Sequence, residues 1–231
     1  MTPRCNYHDG MFANEDWSGP LTGLEPAFEA DAAAFHEAGR AVVGYALSFG
    51  CASVEVTINH RTVEIDDGEA SLWAFSGVSY ASKREHKLAV AAMRAGSLQA
   101  AIALGVGICA GPAAERRFRI ETGMPQRLLE ATVDDHRAVD DRIAKNLGDR
   151  RFAYLRLVWA NAQCLIDQEP VWPDISNVAD RLSEEMGNVW PEVPGRSTVR
   201  LPGETVRVLA RDVAAAPPLG RSGDSSFTRA K

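Results

Sequence analysis

Hydrophobic positions along the chain follow two periods. From Pro26 onward, Phe28, Phe35, Val42 and Phe49 recur every seventh position with small residues between them. That spacing predicts a long helix with one apolar stripe, entered at Pro26 and left at Gly50. The segment SVEVTINHRTVEIDDGEASLWAFSG then switches to alternation. Val54, Val56 and Ile58 share one face, and Val63 and Ile65 carry the alternation past Asn59-His60. Asp66-Asp67-Gly68 supplies turn chemistry before Leu72-Trp73-Ala74-Phe75. A small antiparallel sheet of two or three strands is expected here.

Helical spacing resumes at Ser82 and runs to Gly105. Gly105, Gly107, Gly111 and Pro112 are then expected to interrupt or bend it before AAERRFRIE. Another helix is predicted from about Thr132 to Leu147, with Thr132 as its cap and Asp135 three residues on. Further helices are predicted from Arg151 to Gln168 and from Ile175 to Met186, the latter opened by Trp172-Pro173-Asp174. LPGETVRVLARD, from Leu201, reads as a short closing helix. The fold class expected is mainly α with a small antiparallel β-sheet (α+β). Residues 1–25 read as an irregular N-terminal arm, 26–213 as one domain and 214–231 as a disordered tail.

The chain has 231 residues, 45% of them hydrophobic and 24% charged, which suits one globular domain with attachments. A net charge of -6 argues against general affinity for nucleic acid or an anionic membrane. Arg116-Arg117 and Arg150-Arg151 are too short to overturn that. Cys5, Cys51, Cys109 and Cys164 lie far apart with no CxxC, and the start lacks a signal-peptide core. A reduced, cytoplasmic protein is expected. Ala95 to Ala114 is uncharged for the length a bilayer needs, but it is built of Ala and Gly and carries Ser97 and Gln99. It reads as a buried helix rather than a membrane span.

The chemistry-bearing segment is Phe35-His36-Glu37-Ala38-Gly39-Arg40-Ala41-Val42-Val43. In a zincin helix, HExxH sets two imidazoles one turn apart on one face, and the Glu serves a metal-bound water as general base. His36 and Glu37 stand in the first two places. Position 40 is Arg. A guanidinium has no electron pair to donate and stays protonated. At about 4 Å from a divalent ion, an effective dielectric of about 20 gives repulsion on the order of 8 kcal/mol. As written, no metal cofactor is expected, and Glu37 is a vestigial general base with no metal-bound water to act on.

HEAGxAVVGY resembles the zinc-binding helix of the FtsH-type zinc metallopeptidases, whose pattern is HEAGH. Val56-Thr57-Ile58 matches the V-T-I element of the short sheet that follows in that family. Ala110-Gly111-Pro112-Ala113-Ala114-Glu115 matches its Gly-Gly/Pro-x-Ala-Ala-Glu helix, and WPDISNVADRLSEEM…LPGETVRVL is similar to the tail of small stand-alone relatives. Similarity spans roughly residues 30 to 210. The resemblance implies a zincin-like FtsH peptidase-domain fold. It also implies His36 and Asp134 as vestigial metal ligands, with Asp134 four residues ahead of Ala138, and Glu115 as a residue behind the ligands. Asp135 and His136 are candidate substitutes.

Without a cation, Arg40 is expected to pair with Glu37 or Asp134. No GxxxxGK[ST] is present, so no ATP binding is expected. The function expected is a catalytically degenerate peptidase-like domain that binds an extended peptide or protein in the ancestral cleft, or regulates one. The alternative is an active zinc metalloendopeptidase with an unorthodox ligand set. His8, His60 and His86 read as surface residues, and Trp159, Trp172 and Trp190 as packing residues. No GxSxG or cysteine with a base offers other chemistry.

Overall fold

The computed structural model describes residues 26–65, 68–81, 83–124, 150–190 and 194–215. The arm at 1–25, the helix expected from Thr132 to Leu147 and the tail beyond 215 lie outside the described residues.

Helix α1 (Pro26–Ala46) is the axis of the fold. Instead of one apolar stripe, fifteen of its 21 residues are buried, because it has neighbours on most sides. A three-stranded sheet packs on it, as do helices α3 (Leu98–Glu121) and α5 (Val171–Asn188). Its many Ala and Gly residues suit that place, since small side chains let neighbouring backbones close in. Phe35, Val42 and Phe49 of the sevenfold series are buried, whereas Phe28 is 42% exposed.

Strand β1 (Ser53–Ile65) continues through Asn59-His60 and pairs antiparallel with β2 (Gly68–Tyr80), from Ser53↔Tyr80 to Ile65↔Gly68. The third strand, β3 (Gly195–Pro202), comes from the far end of the chain. It pairs with β1 from Ser53↔Pro202 to His60↔Gly195, giving the order β2-β1-β3. Only Val199 and Leu201 of β3 are buried, so its sequence carries little hydrophobic alternation. Val54, Val56 and Ile58 of β1 are buried completely. Register puts Gly77 opposite Val56 and Phe75 opposite Ile58 on that same face.

The helix expected from Ser82 to Gly105 is two helices. α2 (Lys83–Arg94) ends before Gly96, whose φ of 92° turns the chain, and Ser97 caps α3 by accepting from the Ala100 N–H at 3.2 Å. α3 is not interrupted by its glycines and Pro112, contrary to the local signals. Packing outweighs propensity there. A Cβ on Gly105 would come within 2.5 Å of the hydroxyl of Tyr154, on α4 (Arg151–Ile166), and Gly111 faces α1. α3 is the one helix among the described residues long and apolar enough to cross a membrane, and 56% of its most apolar stretch is buried inside the fold.

The described residues end with α6 (Gly203–Leu209) and α7 (Arg211–Ala215). α7 is tied to the first turn of α5 by Asp174, whose Oδ2 accepts from the Val213 N–H at 2.8 Å. Asp174 is buried, and that burial pushes its pKa up. Trp159, Trp172 and Trp190 pack against the core as partly buried residues. One histidine expected at the surface is not there: His60 is buried. His86 is partly exposed, edge-on to Phe49.

Candidate functional site

Small residues bring α1 and α3 together. A Cβ on Gly39 would stand 2.5 Å from the Ala114 Cβ and 2.7 Å from the Ala110 carbonyl oxygen, so the HEAGR turn can meet the AGPAAE turn only with glycine there. This closeness sets the polar side chains of both helices against each other inside the core.

On one side stands His36, 8% exposed, with Nδ1 at 3.0 Å from Glu115 Oε2. Glu115 Oε1 accepts from Arg119 Nε at 2.9 Å, one turn along α3. Arg119 Nη1 and Nη2 in turn donate to Glu29 Oε1 and Oε2 at 3.3 and 2.8 Å. All four residues are buried. Burial alone would lower the pKa of Arg119, but the Glu29 and Glu115 carboxylates outweigh it and hold the guanidinium above its ordinary value. Buried charges persist only when paired this closely.

On the other side stands Glu37, 1% exposed. Its stem lies on β2, where a Cβ on Gly77 would come within 2.3 Å of Glu37 Cγ. Ser79 Oγ donates to the Glu37 carbonyl oxygen at 2.9 Å and fixes the helix on the strand. Arg40 Nη1 donates to Glu37 Oε1 at 3.1 Å, and both side chains are buried. Glu37 Oε2 is buried with no hydrogen-bond partner among the described residues. The two sides converge at Gly111. A Cβ there would lie 2.6 Å from His36 Cδ2 and Nε2, and 2.9 Å from Arg40 Nε.

The described residues do not by themselves fit zinc. A zinc site gathers three electron-pair donors. Here His36 and Glu37 share their space with a guanidinium that already engages Glu37. Among the described residues no group of three or more His, Cys, Asp or Glu side chains is placed to hold a metal ion. Asp134, Asp135 and His136 lie outside the described residues. What the cluster offers chemically is a carboxylate held by a cation and an imidazole held by a carboxylate. Nearby, burial pushes the thiol of Cys51 and the hydroxyl of Tyr45 up to about 12 each, so both stay protonated at neutral pH. Tyr45 Oη donates to the Gly203 carbonyl oxygen at 2.9 Å and serves packing.

Of the residues singled out in the sequence, His36 and Glu115 meet, and so do Glu37 and Arg40. Sequence reasoning missed Glu29, Arg119, Gly77 and Ser79. Arg119 carried a faint signal, standing four residues after Glu115 where helical side chains meet, but Arg116 and Arg117 beside it offered equal claims. Glu29 lies seven residues before His36, on the same side of α1.

No family model matches the chain, and neither curated proteins nor solved structures yield a match.

Proposed function

We propose that this chain is an FtsH-like metallopeptidase-family domain of zincin-like fold. It is catalytically degenerate and acts as a peptide- or protein-binding or regulatory module. The buried Arg40–Glu37 ion pair carries this reading. In a working zincin helix, Glu37 would be the base and position 40 a ligand. Here one neutralises the other, leaving neither a donor set for zinc nor a base free to activate water.

The binding half of the reading is supported by β2. This strand lies at the edge of the sheet and places Gly77 against Glu37. An extended peptide added to such an edge would gain main-chain hydrogen bonds and run beside the HEAGR turn. The order of the matching motifs along the chain, HEAGR, Val56-Thr57-Ile58 and AGPAAE, gives further support.

The test uses a fluorescently labelled unfolded polypeptide. Anisotropy is expected to rise on adding the protein, with no cleavage whether or not a chelator is present. Chelator-sensitive cleavage would overturn this reading in favour of an active zinc metalloendopeptidase with unorthodox ligands. Absence of association would overturn the binding role.

A further inference from the structure

The two outer strands of the sheet are guarded very differently. Strand β3 is short, ends in Pro202 and carries Arg196 and Arg200. Beyond His60, where β3 stops, the side of β1 that it leaves open carries Arg61 and Glu64. Charge, proline and shortness are the usual means by which a protein keeps a sheet edge from pairing with another chain. β2 lacks these guards along nearly its whole length. It has 13 residues, no proline and an unbroken register with β1, so no bulge turns it away. From Ala70 to Tyr80 it bears no charge. Among the described residues no strand pairs with its outer side.

The charges stand instead at the two ends of β2, with opposite sign. Glu64, Asp66, Asp67 and Glu69 surround its start at the hairpin tip. Lys83, Arg84 and Lys87 follow its end in the first turns of α2, with Glu85 the one acid among them. Glu64, Arg84 and Lys87 are exposed. We infer that the outer edge of β2 docks on the same edge of a second copy of this chain, the two strands running antiparallel. In that arrangement the acidic tip of each copy meets the basic start of α2 of the other, twice over, about a two-fold axis. A parallel pairing would set like charges together. The contact is made by main-chain N–H and C=O groups in the plane of the sheet, so it leaves Glu37 against Gly77 as it is. The inference goes beyond peptide binding and does not rest on it, since a peptide added to β2 would take the place of the second copy.

Sedimentation equilibrium of the full chain across a dilution series tests it. The concentrated protein is expected at twice the mass of one chain, dissociating on dilution. The mass of one chain at every concentration overturns the inference. Ser71→Lys puts a charge on the edge at an exposed position and is expected to weaken the dimer at least about 10-fold. Reversing the charges at one end, by Arg84→Glu with Lys87→Glu, or at the other, by Glu64→Lys with Glu69→Lys, should also weaken it. An equimolar mixture of these two charge variants should recover the dimer, because each then meets opposite charge in its partner. Variants that keep both the wild-type circular dichroism and the wild-type dimer affinity place the contact elsewhere and overturn the inference. A mixture as weakly associated as its components overturns the antiparallel crossing of the two strands.

Discussion

Two buried histidines show two ways of placing an imidazole inside a protein. His36 and His60 are 8% and 9% exposed, so burial does not distinguish them. His36 sits between helices with a carboxylate at Nδ1 and a run of paired charges behind that carboxylate. His60 lies at the far end of the β1–β3 ladder, stacked on Trp73 with ring centroids 3.9 Å apart and planes 3° from parallel. Trp73 packs in turn on Trp190. Both ring nitrogens of His60 are buried with no hydrogen-bond partner among the described residues. One histidine is held by its nitrogen and the other by its flat face. Only the first kind of site has an arrangement that chemistry can use.

That contrast can be broken most forcefully at Arg119. Arg119→Met removes the buried cation that both Glu29 and Glu115 engage, and is expected to cost about 3–5 kcal/mol. Urea unfolding measures it. A loss below about 1 kcal/mol would mean that the charges behind His36 do little to hold the fold.

Substituting each histidine by phenylalanine comes next. His36→Phe removes a partner of the buried Glu115 and is expected to destabilise by about 1–3 kcal/mol. His60→Phe keeps the stack and replaces two unsatisfied nitrogens with carbon, so it should be neutral or stabilising by up to about 1 kcal/mol. Equal losses in the two variants would erase the distinction. Gly77→Ala probes the strand side of the cluster. Its methyl must displace the buried stem of Glu37, at an expected cost of about 1–3 kcal/mol, read from the same unfolding curves.

The smallest effect concerns the buried carboxylate of Asp174. Burial raises the pKa of Asp174 above its ordinary 3.8 and outweighs the Val213 N–H that favours the charged form. A raised pKa in the folded state means that stability is fully present below the ordinary value and declines as pH rises through the folded value. Asp174→Asn keeps an acceptor for Val213 and carries no charge. The wild type should therefore lose melting temperature relative to Asp174→Asn as pH rises across that window. A difference that stays flat with pH would show that Asp174 titrates alike in the folded and unfolded chain.

Much of the fold was legible because it is local. Pro26 and the sevenfold series marked α1, and alternation with Asp66-Asp67-Gly68 marked the β1–β2 hairpin. The third strand was not legible, since GRSTVRLP has two buried side chains and its pairing closes more than a hundred residues of chain. α3 was misread because Gly105, Gly111 and Pro112 look like breakers, whereas two of them are places where Tyr154 and His36 come close. At the site, the i,i+3 relation made a pairing of Arg40 with Glu37 legible, and the two are joined; a pairing with Asp134 falls outside the described residues. The chain from Glu115 to Glu29 spans residues 86 positions apart in sequence, and no local pattern announces such a contact.

The most direct test of the central claim is the zinc content of the untouched protein. After incubation with excess zinc and removal of the free ion, elemental analysis should find far less than one equivalent per chain, because Arg40 holds Glu37 where a metal site would form. One tightly held equivalent per chain would contradict the account.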